Sequence, residues 1–500
     1  MAERSNRGVL IIYTGGTIGS ASSDPSDPES PQVVVSWEKL KEATPELTKL
    51  EKAGCRLGCH SFENPLDSCN VGPDEWRQMA QVIFDRYEEF EGFVILHGTD
   101  TMVYSASALS FMLRDLGKPV ILTGAQRSAL VDTRNDATQN FITAIMIANP
   151  AFSGIPVVPE VTIFFGGKLL RGNRTIKNDT SGYTAYESPN FEPLGLIGDQ
   201  FVLNERLIRP LPAPERRFSI RTRLDTHVMP LFIYPGIPTE LVEKQLSVEG
   251  LRAVVVQSFG SGNIPTRPDF LEAFRKARRE KEIILANVSQ CRRGPVELGI
   301  YETSAELLDA GFITAGDLTV EAAQCKLMSL LGDPDVTVEE VEKQYEICMA
   351  GEQNASQYLT SFSKKMDKVE RKEGDGQPGR FRLPGKALDG QWNPQRIDRA
   401  LLRLRKGKVS LPKEDAVEFR VFINVDPDQP LRDGHPHFAG KFRKWPSEKT
   451  GLVVFDVTRA TRAIAKPGER VSFTFTVETE GGSLSWDEAE VALFIREAGV

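Results

Sequence analysis

Residues 94–104 read VILHGTDTMVY, and the fold turns on this stretch. An apolar, β-branched run ends in His97, Gly98, Thr99, Asp100 and Thr101, and a helical pattern, SASALSFMLRDLG, starts straight afterwards. A strand that runs directly into a helix is the junction of an α/β unit. In open α/β sheets ligands gather at such carboxyl ends, where glycine turns let backbone approach and helix N-termini offer free N–H groups. The stretch is therefore both a fold signal and a candidate site.

The same alternation recurs on either side. VLIIYT precedes EKLKEATPELTKLEKAG, VILTG precedes DATQNFITAIMIAN, and VTIFF follows, which predicts a mainly parallel sheet with covering helices. RPLPAPERRFSIRTRLD (209–225) interrupts the pattern as a linker, before VMPLFIY, LRAVVVQSFG, EIILANVSQ and the helical TVEAAQCKLMSLLG resume it. The expected organisation is an N-terminal α/β domain over 1–208, a linker over 209–227 and a smaller α/β domain over 228–352. Residues 353–415 are rich in Lys, Arg, Gly and Pro and read as a solvated linker with one short basic helix, IDRALLRLRKGK. From 416 to 500 the pattern becomes strict alternation. In VSFTFTVET (471–479), Val471, Phe473, Phe475 and Val477 share one face while Ser472, Thr474, Thr476 and Glu478 share the other, as expected of an all-β sandwich.

Composition narrows the function. A formal charge of −8 and a pI near 5.5 disfavour nucleic acid as a partner, because phosphate binding needs clustered Lys and Arg. No apolar run is long enough for a membrane span, and the start lacks a secretory cleavage pattern. Six scattered cysteines fit a reducing, cytoplasmic setting. Cys55, Cys59, His60 and Cys69 have irregular spacing and read as loose thiols rather than zinc ligands.

A second glycine-rich strand end, IIYTGGTIG (11–19), carries Thr14 but neither nucleotide-loop pattern. Two strand ends thus present threonine hydroxyls. A threonine hydroxyl attacks only after a base takes its proton, and a carboxylate alone is a weak base for an alcohol. Lys177, in LLRGNRTIKNDT (169–180), is the candidate partner for Asp100, since a buried Asp–Lys pair can shuttle a proton. Each residue also has an ordinary reading: Thr99 or Thr101 as a helix N-cap, Asp100 as a charge on the helix dipole, Thr14 and Thr17 as turn residues, Lys177 as a surface lysine. Their joint occurrence favours a site.

Together YTGGTIG, LHGTDTM and RGNRTIK resemble the signature set of bacterial-type L-asparaginases. KPVILTGAQ, SPN (188–190), PLFIYPGI, SFGSGN (258–263), NVSQC and AGFITAGDLTVEAAQCKL follow the order of the cytoplasmic type I branch. The resemblance implies a two-domain fold with a smaller flavodoxin-like domain. It also implies hydrolysis of asparagine to aspartate and ammonia through a threonine acyl-enzyme, with no metal and no cofactor. On this chain Thr14 resembles the first nucleophile, and Thr99, Asp100 and Lys177 the second threonine set, with backbone at Gly15 and Gly98 forming an oxyanion hole. LDSCNVGPDEW (66–76) resembles the substrate-carboxylate loop and keeps Ser68, but has Cys69 and Asn70 where the family usually has Ser and Asp. The loop at 20–35 lacks the tyrosine the family places there, and Ile176 and Gln257 argue against a second regulatory asparagine site. Homodimers or homotetramers are implied, with Asn263 reaching into a neighbouring subunit's site.

VEFRVFINV and HFAGKF (437–442) resemble the small β domain that ends plant-type polyphenol oxidases, where it is not the copper-bearing part. His435 and His437 read as a loop rather than a metal pair. This domain is expected to be a cover, an oligomer contact or a partner-binding module. Two alternatives stay open: a glutamine-tolerant or other small-amide hydrolase, and a non-catalytic amino-acid-binding protein.

Overall fold

A computed structural model describes residues 8–24, 30, 32–130, 134–296, 298 and 302–354, and beyond these a set of strands and one helix between 357 and 495. The first unit is an eight-stranded sheet. Its strands are β1 (Val9–Gly15), β2 (Leu57–Leu66), β3 (Gly92–Leu96), β4 (Val120–Thr123), β5 (Val161–Phe165), β6 (Lys168–Arg171), β7 (Gly195–Ile197) and β8 (Phe201–Leu203), in the order β8-β7-β6-β5-β4-β3-β1-β2. The pairs among β1 to β5 are parallel, and β6, β7 and β8 are added antiparallel.

The parallel part therefore runs 2-1-3-4-5. In such a sheet the connections leave β1 and β3 toward opposite faces, and a crevice opens between their carboxyl ends. Thr14 is the penultimate residue of β1 and His97 follows β3, so both candidate motifs stand at this switch point.

Strand alternation builds two cores. Leu10, Ile12, Phe93 and Ile95 face one layer, with Met79 and Ile83 of the helix Pro73–Asp85. Val9, Ile11, Val94 and Leu96 face the other, with Phe141 and Ile145 of the helix Ala137–Ala148. The helix Met102–Met112 is buried at every residue except Tyr104. An all-round apolar helix must be covered on all sides. Here the helix Val320–Leu331 of the second unit closes over it, joining the two units in one continuous core.

The second unit, expected to be flavodoxin-like, has four parallel strands in chain order: β9 (Val228–Phe232), β10 (Ala253–Ser258), β11 (Ile284–Ser289) and β12 (Phe312–Thr314). Right-handed crossovers in that order send every intervening helix to one face. Val242, Phe270, Phe274 and Leu307 accordingly pack there with Val254, Val256 and Leu285, leaving Val255, Ala286 and Val288 for the shared core.

The C-terminal region corrects the expected linker at 353–415. Two four-stranded antiparallel sheets are present. One is Gln357–Lys365 (β13), Glu488–Ile495 (β20), Ile397–Arg405 (β15) and Leu452–Asp456 (β18), in that spatial order. The other is Gly379–Lys386 (β14), Val471–Thr479 (β19), Val417–Ile423 (β16) and Phe438–Lys444 (β17). Sheet structure thus starts well before residue 416. The segment IDRALLRLRKGK, expected as a helix, is strand β15 up to Arg405. Its register slips between Ile397 and Arg399, so Ile397 and Ala400, three apart, are both buried, and Leu402 follows at the strand period. A bulge adds one residue and so imitates helical spacing. His435 and His437 lie outside the described residues.

Candidate active site

Three loops converge at the switch point. Gly15 and Gly16 have φ of 122° and 86°, in the range that favours glycine. A Cβ on Gly15 would lie 2.3 Å from Leu66 O, and one on Gly16 would lie 2.4 Å from Gly98 N. The first loop is thus pressed against both others. Gly16 N–H donates to Leu66 O at 3.1 Å. Gly98 is equally tight, since a Cβ there would come within 2.7 Å of Ser68.

Ser68 ties the second loop to the third. Its hydroxyl accepts from Asp100 N–H at 3.2 Å, and its carbonyl accepts from the Thr101 hydroxyl at 2.6 Å. Thr101 occupies the N-cap position of the helix Met102–Met112 but makes no side-chain cap bond there. Cys69 is exposed on a 3-10 turn whose cap, Asp67, accepts its N–H at 3.2 Å. Partial loss of water around the sulfur and the negative charges of Asp67 and Asp100 push the Cys69 thiol up.

Lys177 reaches this cluster from a two-residue strand, Ile176–Lys177, paired with Tyr186–Glu187. Its Nζ donates to Thr99 Oγ1 at 2.9 Å and to Asp100 Oδ1 at 2.6 Å. The structure thus joins Lys177 to Thr99 and Asp100, from which it lies 78 and 77 residues away in sequence. The surface-lysine and N-cap readings of Lys177 and Thr99 fall away. One expectation is corrected: the Asp–Lys pair is not buried. Lys177 is 15% exposed, while Asp100 is 67% exposed because it sits on the crest between strand and helix. Thr14 is buried, and its hydroxyl donates to Leu96 O at 2.9 Å.

Several contributors escaped the sequence reading. Tyr186 donates its hydroxyl to Thr99 O at 2.5 Å, and burial pushes its pKa well up. Arg174, 1% exposed, grips both oxygens of Asp317 at 3.0 and 2.8 Å, and donates also to Glu352 O at 2.8 Å and Asn190 O at 2.7 Å. Arg171 pairs with buried Glu160, and Asn173 donates to Ala350 O at 3.0 Å. The 3-10 turn Gly172–Arg174 that leads to Lys177 is therefore anchored on the segment 350–352. That segment is itself fixed by the fully buried pair Lys326–Glu352 at 2.6 Å. The only sequence signal for this anchorage was a run of arginines and asparagine within an otherwise apolar stretch.

Asn263 lies in the second unit, in a tight turn bridged to Phe259 through both backbone groups. Tyr13 donates to Val35 O at 2.8 Å and holds the base of the 20–35 loop, of which 25–29 and 31 lie outside the described residues. Among the described residues, no group of three or more His, Cys, Asp or Glu is placed to hold a metal ion, and no helix is long and apolar enough to cross a membrane.

Most of the chain is similar to known proteins. Residues 8–209 match the family described as asparaginase, N-terminal, and residues 227–344 match the glutaminase/asparaginase C-terminal domain. L-asparaginase 1 of Escherichia coli is 36% identical over 350 residues, covering 69% of this chain and 98% of that protein. The 60 kDa lysophospholipase of Mus musculus is 35% identical over 358 residues, covering 67% of this chain and 61% of its own length. The crystal structure of L-asparaginase I from Vibrio cholerae superposes with a TM-score of 0.62 at 35% identity, covering 69% of this chain and 98% of that one.

Proposed function

This chain belongs to the asparaginase family, and we propose on that premise that it hydrolyses L-asparagine to L-aspartate and ammonia. The observation that carries the reading is the single ammonium of Lys177 in contact with both Thr99 Oγ1 and Asp100 Oδ1. The converging groups are polar and small, which suits a compact amino acid with an amide side chain better than a long acyl chain.

The chemistry is acyl transfer. A threonine oxygen attacks the side-chain amide carbon, the carbonyl oxygen gathers charge against backbone N–H groups at Gly15 and Gly98, and the nitrogen leaves as ammonia after taking a proton. Water then cleaves the ester and restores the hydroxyl. Lys177, when neutral, accepts a proton from the attacking oxygen, and Asp100 holds the amine in place or binds the substrate ammonium. Ser68 and Cys69 line the side where the substrate carboxylate would lie.

Two assignments of the nucleophile follow. The family resemblance favours Thr14. The second reading makes Thr99 the nucleophile, and a specific contact supports it: Thr99 has an amine at 2.9 Å, whereas the hydroxyl of Thr14 is spent on a carbonyl that cannot take a proton. Ammonia release from asparagine and glutamine by the wild type, Thr14→Ala and Thr99→Val tests the activity. Peptide mapping of acid-quenched turnovers shows which threonine carries the aspartyl group. Equal release by all three proteins refutes the site. Loss of activity in the wild type with retained thermal stabilisation by asparagine would favour a binding protein instead.

The remaining assignments are ours as well: a cytoplasmic homodimer or homotetramer with Asn263 completing a neighbour's site, two α/β domains over 1–208 and 228–352, and a C-terminal β module serving as a cover or contact. The Glu352 and Asn354 contacts favour carrying the second domain to about residue 354.

A further inference from the structure

His97 is fully buried next to Thr99 and takes no part in the chemistry above. Both ring nitrogens are engaged. Nδ1 stands 2.7 Å from Gly98 O, and Nε2 stands 2.8 Å from Ser105 Oγ. Ser105 Oγ in turn receives the indole N–H of Trp76 at 2.8 Å. The ends of this chain have fixed polarity, because an indole N–H can only donate and a carbonyl can only accept. Nδ1 must therefore carry the proton directed at Gly98. In a neutral ring Nε2 is then an acceptor, so Ser105 gives its hydrogen to His97 and a lone pair to Trp76. Burial pushes the imidazole down to about 4, which keeps it neutral.

The carbonyl so held belongs to the peptide unit joining Gly98 to Thr99. The next unit, from Thr99 to Asp100, is held by the Tyr186 hydroxyl on Thr99 O. Fixing both peptide planes around one Cα fixes its φ and ψ, and hence the direction of its Cα–Cβ bond. With that bond set, the Thr99 rotamer brings Oγ1 to 2.9 Å from Lys177 Nζ.

We propose that His97 is a positioning residue for Thr99: the relay Trp76–Ser105–His97 holds the Gly98 carbonyl, and with it the peptide plane that aims the Thr99 hydroxyl. The proposal rests on the reading of Thr99 as part of the reacting set. It concerns how that hydroxyl is held, whichever threonine attacks.

The test uses the full chain labelled with ¹⁵N-histidine, which places only five residues in the spectrum. The His97 signal, assigned by its loss in His97→Asn, is expected to be the neutral Nδ1–H tautomer. Trp76→Phe and Ser105→Ala, which leave the histidine in place, should loosen the ring on the Gly98 carbonyl, read as a shifted Nδ1 resonance, and lower kcat with KM little changed. His97→Asn and His97→Gln separate the two contacts. The asparagine amide can stand where Nδ1 stood, whereas the glutamine amide reaches toward Ser105. His97→Asn should therefore retain the higher kcat, with His97→Gln down by about tenfold or more, as misplacing a reacting group by a fraction of an ångström costs. An Nε2–H tautomer in the wild type overturns the relay. So does a His97→Gln protein as active as His97→Asn, or Trp76→Phe and Ser105→Ala proteins with unchanged Nδ1 resonance and kcat. Should the wild type release no ammonia, the functional reading fails, while the tautomer still decides the relay.

Discussion

Asp317→Ala should show how firmly the turn before Lys177 is clamped. Arg174 is 1% exposed and Asp317 7% exposed, so the pair is shielded from water. Removing the carboxylate leaves a buried guanidinium with two carbonyl acceptors, Glu352 O and Asn190 O, and leaves Asn354 N–H without its 2.8 Å acceptor. Breaking a buried pair from one side costs about 3–5 kcal/mol, and the surviving carbonyls place this case near the lower end, at about 3 kcal/mol. Removing both partners is different. Arg174→Met with Asp317→Leu takes away both charges and keeps apolar volume, so its stability should lie between those of Asp317→Ala and the wild type, short of the latter because Glu352 O and Asn354 N–H lose their partners. Urea unfolding followed by tryptophan fluorescence, with ammonia release measured on the same samples, gives both quantities. An Asp317→Ala protein destabilised by less than about 1 kcal/mol, or a double variant as unstable as the single one, would refute the argument.

Lys177→Met removes the donor shared by Thr99 and Asp100 and should lower kcat for asparagine by about 10²–10⁴-fold, the usual range for a positioned proton carrier; a wild-type rate would rule the lysine out of the chemistry. Glu352 supplies a pH dependence. Burial raises its pKa, but Lys326 and the backbone N–H groups of Met349 and Ala350 outweigh this and hold it below the usual carboxylate range. A folded pKa below the unfolded one means that the stabilisation is complete above the unfolded value, about 4.3, and is lost as pH falls through the folded value. Urea midpoints of the wild type should therefore drop on acidification below that range. Those of Glu352→Gln should be lower at neutral pH and flatter in acid, and parallel curves would contradict the assignment. Ending the chain after residue 355 removes every strand of the C-terminal sheets and spares all contacts of Lys177, Arg174 and Glu352. Its kcat and KM for asparagine should match those of the full chain, and loss of either would assign the sheets a part in the site.

The α/β units were legible because their central strands are buried on both faces and two glycine-marked ends lie within a few residues of the chemistry. VLIIYTGG and VILHGTDT each announce strand, turn and polar group in one local run. The meeting of Lys177 with Asp100 was only permitted by the sequence, since no local rule sets the distance between loops so far apart. Strand β15 was misread for a definable reason: its register slip places buried residues three apart, as a helix would. Tyr186, Arg174 and His97 were invisible as site residues because each acts on a backbone carbonyl or a distant carboxylate, and such partners leave no trace in residue spacing.

The helix Met102–Met112 carries a consequence for how the protein is made. Its outer surface is covered only once the helix Val320–Leu331 docks on it. During synthesis the first sheet must therefore wait, with an oily flank uncovered, until more than two hundred further residues have left the ribosome. A nascent chain halted between the two helices would be a natural client for chaperones.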